Sequence, residues 1–548
     1  MNTDQKILYK RLIFVIGIFL IAIGIVIDIG VFDPYQNSVE VISPSLSYDD
    51  SKEIETLNED YIVDTSFSSH LPIVVIASNE GDFFDNTKWD KESETYQSIL
   101  NPNETFTSCE MSIYDTGKEN VLSNKPTITT NVNIRYRGNS SLHYAKKQYL
   151  IKLLDENGNN LDLNIMGMGK DNTWVLNGSL IDKSMIRNYL AYNISSQIME
   201  VSTDAKFCEM FFFHDNQYKY MGVYLMTETA KRGNSRLPLR KYNPKYTQTD
   251  YILRRDRYDK WSVSLNNYAT QNNLSYGTLA VKYPSDEEIT EDTVKYIEEE
   301  ISQFEKALYS NDPEVFVTYR DYIDMDSFVD YFIINEFFGN YDAGNNSTYM
   351  YKKAGGKLTM GPVWDFDGAM DNYYGGPFDY DSIAFQESPW FDRMLLDPEF
   401  CQKLIYRYQE LREGVLSDEY ITTFIDTTVA YLGKAQQREW ARWGKHYIDS
   451  DYLQDGADRH GIMHTKRNLN SFEEEIDKIK TVITKHGEWL DQNTGTFYMK
   501  TNTVPGLESS VIAEVDNNNR FDFNYGALFA VIFVSVFFIS IIMAQKMN

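Results

Sequence analysis

The chain has 548 residues, long enough to bury a large core in more than one lobe. Its 80 acidic against 52 basic side chains leave a formal net charge of −28, which argues against a nucleic-acid partner, because a phosphate backbone rewards basic patches. With 30 Gly and 14 Pro beside 40 Tyr and 31 Phe, the chain is neither collagen-like nor disordered in composition.

Residues 1–11 form a short tail in which Lys6, Lys10 and Arg11 precede an apolar run at 12–32. That run has the length of a transmembrane helix, and its one acid, Asp28, lies near the outer end. The positive flank puts the N-terminus in the cytoplasm, and the lack of a small-residue cleavage pattern favours an uncleaved anchor. Residues 33–68 are acidic and polar and read as a stalk. A single large domain is expected over 69–500, then a second stalk at 501–525, a second apolar span at 526–543 and a short tail at 544–548. A buried core helix is the alternative for either span. If both cross, the protein sits in the cell membrane with cytoplasmic termini and residues 33–525 outside. The three cysteines, Cys109, Cys208 and Cys401, have no metal-site spacing and allow either one disulfide or three buried thiols.

Within the large domain the first half is strand-rich. LPIVVIAS (71–78), FTSCEMSIYD (106–115), TTNVNIRYRG (129–138), KQYLIKLLD (147–155), TWVLNGS (173–179), AKFCEMFFFHDN (205–216) and YKYMGVYLMTE (218–228) all have β-type composition. DENGNN (155–160) and HDNQ (214–217) are turn signals between them. One helical period interrupts at 184–199, where Asp182 or Ser184 could serve as the cap. From about 286 the pattern turns helical, over 287–309, 326–338, 399–415, 417–434 and 468–487.

Four motifs carry candidate chemistry. RYRGNSS (135–141) suits a tight turn whose backbone N–H groups point at an anion, with Arg137 as an added donor, although alone it reads as an ordinary hairpin turn. In KKQYLIKL (146–153), alternation puts Lys146, Gln148, Leu150 and Lys152 on one strand face and Lys147, Tyr149, Ile151 and Leu153 on the other. A lysine there could reach a phosphate, while a solvated strand lysine is the commoner case. Glu228 ends the apolar strand of GVYLMTETAKRG (222–233) and could pair with a strand lysine or mark a segment joining two lobes, with a surface carboxylate as the alternative.

The fourth is EFFGNYDAGNNSTYMYKKAGGKLTMGPVWDFDGAMDN (336–372). It sets Asp342, Asn346, Asp365 and Asp367 in two polar clusters beside aromatic runs, joined by a hairpin with Gly355 and Gly356 at its turn. Carboxylates beside apolar runs are costly to bury without compensation. A divalent cation with a bound phosphate would compensate them, since Mg²⁺ takes one or two carboxylates plus substrate phosphates. Turn or capping acids are the alternative.

Taken in order, RYRGNSS with KKQYLIKL, LIDKSMIRNYLA, YMGVYLMTE, NEFFGNYDAGNN and GPVWDFDGAMDN resemble the CotH family of atypical secreted protein kinases, related to spore-coat protein H, over roughly residues 70–415. The resemblance implies an α+β, bilobal, atypical protein-kinase-like fold, β-rich in its N-terminal part and helix-rich in its C-terminal part, here flanked by two transmembrane helices. It implies ATP-dependent phosphorylation of Ser or Thr on secreted proteins, with Mg²⁺ or Mn²⁺. By position, Asp342 resembles the catalytic-loop acid and Asp365 the metal-binding acid. Asn346 stands where a second metal ligand is expected, with Asn345 as fallback. Lys152, or alternatively Lys147, is the expected nucleotide-phosphate lysine, with Arg137 and Glu228 as further cofactor-site residues. Tethering at both ends departs from the family's released members and directs the expected protein substrate to the membrane or cell wall. A catalytically inactive surface-binding module is the competing class, and a metal-dependent hydrolase the third.

Overall fold

The computed structural model describes residues 61–78, 87–90, 95–98, 106–138, 141, 144–258, 262–275, 277–373, 376–385, 387–448 and 468–503. All of these fall in one compact unit, residues 38–508. The apolar segments 12–32 and 526–543, and most of both stalks, lie outside the described residues. Among the described residues no helix is long and apolar enough to cross a membrane.

The N-terminal part is built from β1 (Ile73–Ala77), β2 (Thr107–Tyr114), β3 (Ile128–Arg137), β4 (Gln148–Leu154), β5 (Thr173–Asn177), β6 (Ala205–His214) and β7 (Gln217–Thr227). They join in the order β7-β5-β4-β3-β2-β1-β6, and β6 pairs back onto β7, closing a barrel. The β1–β6 pair is parallel, and the other pairs named here are antiparallel. Period-2 alternation explains the closure. Cys109, Met111 and Ile113 of β2, Val132, Ile134 and Tyr136 of β3, and Tyr149, Ile151 and Leu153 of β4 all point into one apolar interior with Trp174, Met210 and Met226. Burying each large apolar side chain contributes about 1.5–3 kcal/mol. The alternate residues therefore face outward. Register pairs Asn133 with Lys152, Arg135 with Leu150, and Arg137 with Gln148.

The outer face of β6 and β7, through Phe207, Val223 and Leu225, packs into the core of the helical part. Between the two runs α1 (Arg187–Ser196), every residue of which is buried. The Ncap position is Ile186, which makes no side-chain cap bond. Asp182 Oδ2 instead accepts from the Arg187 N–H at 3.0 Å, and Ser184 Oγ from that of Ile186 at 3.3 Å. Both expected capping residues thus satisfy first-turn donors from upstream.

The rest comprises a second, antiparallel sheet and a helical layer. The sheet holds β8 (Tyr251–Asp256), β9 (Thr278–Tyr283), β10 (Thr348–Lys352) and β11 (Leu358–Met360). β10 and β11 are the expected hairpin, and Gly355 takes φ +76° at its turn. The principal helices are α2 (Glu291–Leu308), α3 (Met325–Phe337), α4 (Pro398–Arg412), α5 (Asp418–Leu432), α6 (Lys434–Ile448) and α7 (Phe472–Asn493). Thr290, Asp324, Asp397, Ser417 and Ser471 cap α2, α3, α4, α5 and α7 through their side chains. Helix α6 had no counterpart among the expected helices. It starts directly after Gly433, which ends α5 at φ +47°, and lies against the barrel, where Trp443 Nε1 donates to the Met221 carbonyl at 2.8 Å. The three cysteines are free, buried thiols.

Candidate active site

Two loops carry the acids. The first leaves α3 through Gly339, at φ +61°, where a Cβ would stand 2.4 Å from the Phe378 ring, so only glycine fits. The turn that follows is closed by the Asn346 N–H donating to the Asp342 carbonyl at 2.9 Å and the Gly344 N–H to Thr348 Oγ1 at 2.7 Å. Arg255, buried over the Trp390 ring at 4.1 Å, donates to the Gly344 carbonyl. Within this loop Asn346 Nδ2 donates to Asp342 Oδ1 at 2.7 Å.

The second loop follows β11. Trp364 stacks on Tyr192 with centroids 5.9 Å apart, and Asp365 takes the left-handed conformation at φ +65°. A non-glycine residue held there stores strain that its surroundings must over-determine. Helix α1 supplies that restraint. Tyr192 Oη accepts from the Asp365 N–H at 3.3 Å and Asn188 Oδ1 from that of Phe366 at 2.7 Å. Arg187 donates to the Ala369 and Met370 carbonyls at 3.1 and 3.4 Å. The loops meet directly: the Met370 N–H donates to the Phe338 carbonyl at 2.9 Å, and Ser347 Oγ donates to Asp365 Oδ2 at 3.0 Å. Adjacent residues Asn346 and Ser347 therefore hold Asp342 and Asp365 respectively.

The electrostatics follow from this convergence. Burial pushes the Asp342 carboxyl up; the Asn346 hydrogen bond opposes the shift and the charge of Asp365 adds to it. Asp367, which accepts from Ser179 Oγ at 2.6 Å, is pushed up to about 8 by burial first and by Asp365 second. Three carboxylates thus repel one another. Cations line the surroundings: Arg257 acts on Asp342, Arg137 lies 5.8 Å from the Trp364 ring, and Arg254 and Arg137 both act on Tyr349.

The donor set fits a hard divalent cation. Asp365 keeps Oδ1 beyond its Ser347 bond, and the Asn345 Oδ1 atom is buried with no donor. It is not a complete cage: among the described residues no group of three His, Cys, Asp or Glu side chains could hold a metal ion alone. Two carboxylates and an amide leave room for ligands from a substrate.

A family model described as CotH kinase protein matches residues 134–490. The chain belongs to the CotH kinase family. None of the curated proteins matches it. The family match starts inside β3 and extends through α6 and most of α7, well past the C-terminal limit of the resemblance read from motifs. The mixed architecture, sheet-rich first and helical second, fits a kinase-like fold.

In this CotH kinase the sequence-chosen residues separate into two groups. Asp342, Asp365 and Asn346 come together, and Arg137 stands beside them, donating to Gln148 Oε1 at 2.6 Å. Lys147, Lys152 and Glu228 have other neighbours. Lys147 has its ammonium 5.7 Å from the Tyr136 ring, and burial lowers it to about 8. Lys152 lies over the Phe106 ring at 4.7 Å, with Arg135, Glu287 and Lys231 as charged neighbours. Its position is about 13 Å along β4 from Gln148, at ~3.3 Å per residue. Glu228 accepts from the Asp204 N–H at 3.0 Å and faces Arg236 at 3.4 Å. Burial pushes its carboxyl up to about 7, against the pull of Arg236.

Sequence reasoning passed over Lys146. It is buried, donates to the Val223 carbonyl at 2.7 Å, and pairs with Glu439 of α6 at 2.5 Å. With Asn177, Ser179, Asp182 and Asn188 it lines a cavity of about 20 Å³, room for one water, into which Asn177 brings an unpartnered Oδ1. Ser179 ties that cavity to Asp367. Alternation had grouped Lys146 with Gln148, Leu150 and Lys152 on one strand face. Only the fold reveals its partner, which lies 293 residues later.

Proposed function

We propose that this CotH kinase transfers the γ-phosphate of ATP to Ser or Thr of secreted or cell-wall-proximal proteins, using Mg²⁺ or Mn²⁺. The observation that carries the reading is the pairing of Asp342 and Asp365 through the adjacent donors Asn346 and Ser347. In phosphoryl transfer, one acid accepts the acceptor hydroxyl's proton while another acid and an amide hold metal, and the rest is positioning. Asp342 is the proton acceptor. Asn346 occupies its Oδ1, which leaves Oδ2 for the hydroxyl, and burial raises its basicity toward the working pH. Asp365, with Asn346 or Asn345, would hold the divalent cation, which when bound neutralises phosphate charge. Arg137 supports phosphate from the barrel side, its fork held by Gln148.

The flanking apolar segments motivate the remaining proposals: a cell-membrane protein with cytoplasmic termini and the kinase domain outside. The net charge of −28 motivates a protein rather than a nucleic-acid partner. The test is transfer of labelled γ-phosphate by purified full-length protein, to itself or to a Ser-rich acceptor. Asp342→Asn and Asp365→Asn should each abolish transfer while leaving thermal unfolding intact. Undiminished transfer by both variants refutes the reading. Release of free phosphate without protein labelling would identify a hydrolase instead, and no nucleotide binding at all a surface-binding module.

A further inference from the structure

Helix α7 lies far from the acid motifs in sequence, yet it touches the supports of both acid loops. Near its start Glu475, with 1 % of its side chain exposed, accepts from Arg187 at 3.1 Å. Arg187 is fully buried and is also paired with Asp182 at 2.7 Å. It is the residue that donates to the Ala369 and Met370 carbonyls of the Asp365 loop. Lys478, one turn on, braces Glu475 at 3.2 Å.

Three turns further along the same buried face stands His486, about 16 Å away at ~1.5 Å per residue. Its Nε2 faces the Glu336 carbonyl and Oε1, both at 3.1 Å, and its Nδ1 faces the Tyr380 carbonyl at 3.0 Å. Glu336 belongs to the last turn of α3, directly before the Asp342 loop, and accepts the Ala384 and Phe385 N–H groups at 3.0 and 2.7 Å. The His486 ring also packs edge-on against Phe378 at 4.8 Å, the ring that closes over Gly339. One rigid helix therefore ends on the support of one acid loop and begins on the support of the other.

We propose that α7 is a positioning strut for phosphoryl transfer: Glu475, acting through Arg187, and His486, acting through Glu336, set the separation of Asp365 and Asp342 and so the affinity of the site for metal and nucleotide. The inference rests on the functional reading above. Neither residue touches the reacting atoms. Outer-shell partners of metal ligands commonly carry 10–100-fold in metal affinity, and α7 acts one shell further out.

The test uses full-length protein and Mn²⁺ with ATP. Binding is followed by the Mn²⁺ electron paramagnetic resonance signal and by ligand-induced thermal shift, and turnover is resolved into KM and kcat. Glu475→Gln keeps a neutral isostere and leaves Arg187 its Asp182 partner, so the fold should survive. It should weaken Mn²⁺ about tenfold and raise the KM for metal–nucleotide by a similar factor. His486→Asn should do the same from the other end. Ile479→Ala, which removes only apolar packing from the same helix face, should lower Tm and leave Mn²⁺ affinity unchanged. If Glu475→Gln and His486→Asn behave like Ile479→Ala, the strut is overturned while the site reading stands. If wild-type protein takes up no Mn²⁺, the site reading falls and the strut with it.

Discussion

Replacing Asp367 by Asn should stabilise the metal-free protein, and the size of the effect follows from the carboxylate cluster. Asp367 has an ordinary value of 3.8 and is pushed up to about 8, by burial and then by Asp365. The sign is that of an acid raised in the folded state. Below about pH 4 both states are protonated and nothing is lost. As pH rises toward 8 the unfolded chain ionises first, so stability falls. At about 1.4 kcal/mol per pH unit the loss at pH 7 approaches ~4 kcal/mol. Partial solvent access to the group reduces this, and about 2 kcal/mol is the working figure. Asn keeps the shape and the Ser179 contact but cannot ionise. Thermal unfolding in a chelator at pH 5, 7 and 9 is the assay. Wild type should lose Tm across that range, and Asp367→Asn should lose much less and exceed wild type at pH 7 and 9. Parallel curves for the two proteins would refute the raised Asp367 carboxyl, which burial and then Asp365 produce.

Further consequences follow from other contacts. Glu228, raised to about 7 by burial, should cost stability between about pH 4.5 and 7, so Glu228→Gln should gain on the order of 2 kcal/mol at pH 8 in equilibrium denaturation and nothing at pH 4. Lys146→Met should destabilise by about 3–5 kcal/mol by leaving Glu439 buried without its cation, a loss that Lys146→Met with Glu439→Leu should largely recover. Gly339→Ala should lower both Tm and turnover, because its Cβ would collide with Phe378 at a positive φ that feeds the Asp342 loop. Arg137→Ala should raise the KM for ATP more than Lys152→Ala does, since Arg137 stands beside Trp364 and Lys152 lies about 13 Å along the strand.

Much of this architecture was legible in the sequence because local signals agree with the tertiary result. The strands at 107–114, 128–137 and 148–154 alternate buried with more exposed residues, as one-sided packing on a barrel interior requires, whereas those at 73–77, 205–214 and 217–227 are near-continuous apolar runs because they are buried along most of their length. The 336–372 stretch joins its two acid clusters by a Gly-Gly hairpin, so Asp342 and Asp365 could be brought together by a local turn. The missed elements depend on distant partners. Helix α6 has a polar sequence, KAQQREWARWGKHY, whose buried face holds Lys434, Arg438 and Glu439, and these charges are tolerated because Glu209 and Lys146 meet two of them. The surroundings of Lys146, Lys147 and Lys152 were unreadable for a related reason. Alternation assigns faces, but the neighbour of each face (Glu439, Tyr136 or Phe106) comes from elsewhere in the chain. The closure of the barrel by the parallel β1–β6 pair was likewise unreadable, since it joins residues well over a hundred positions apart.

The central claim is that Asp342 and Asp365 converge on a cation carrying a triphosphate. The most direct measurement is a crystal structure of the protein with Mn²⁺ and a non-hydrolysable ATP analogue. The account predicts Mn²⁺ on Asp365 and an Asn345 or Asn346 amide oxygen, with the terminal phosphate facing Asp342. Metal and nucleotide bound away from these residues, or the two carboxylates turned to separate surfaces, would contradict it.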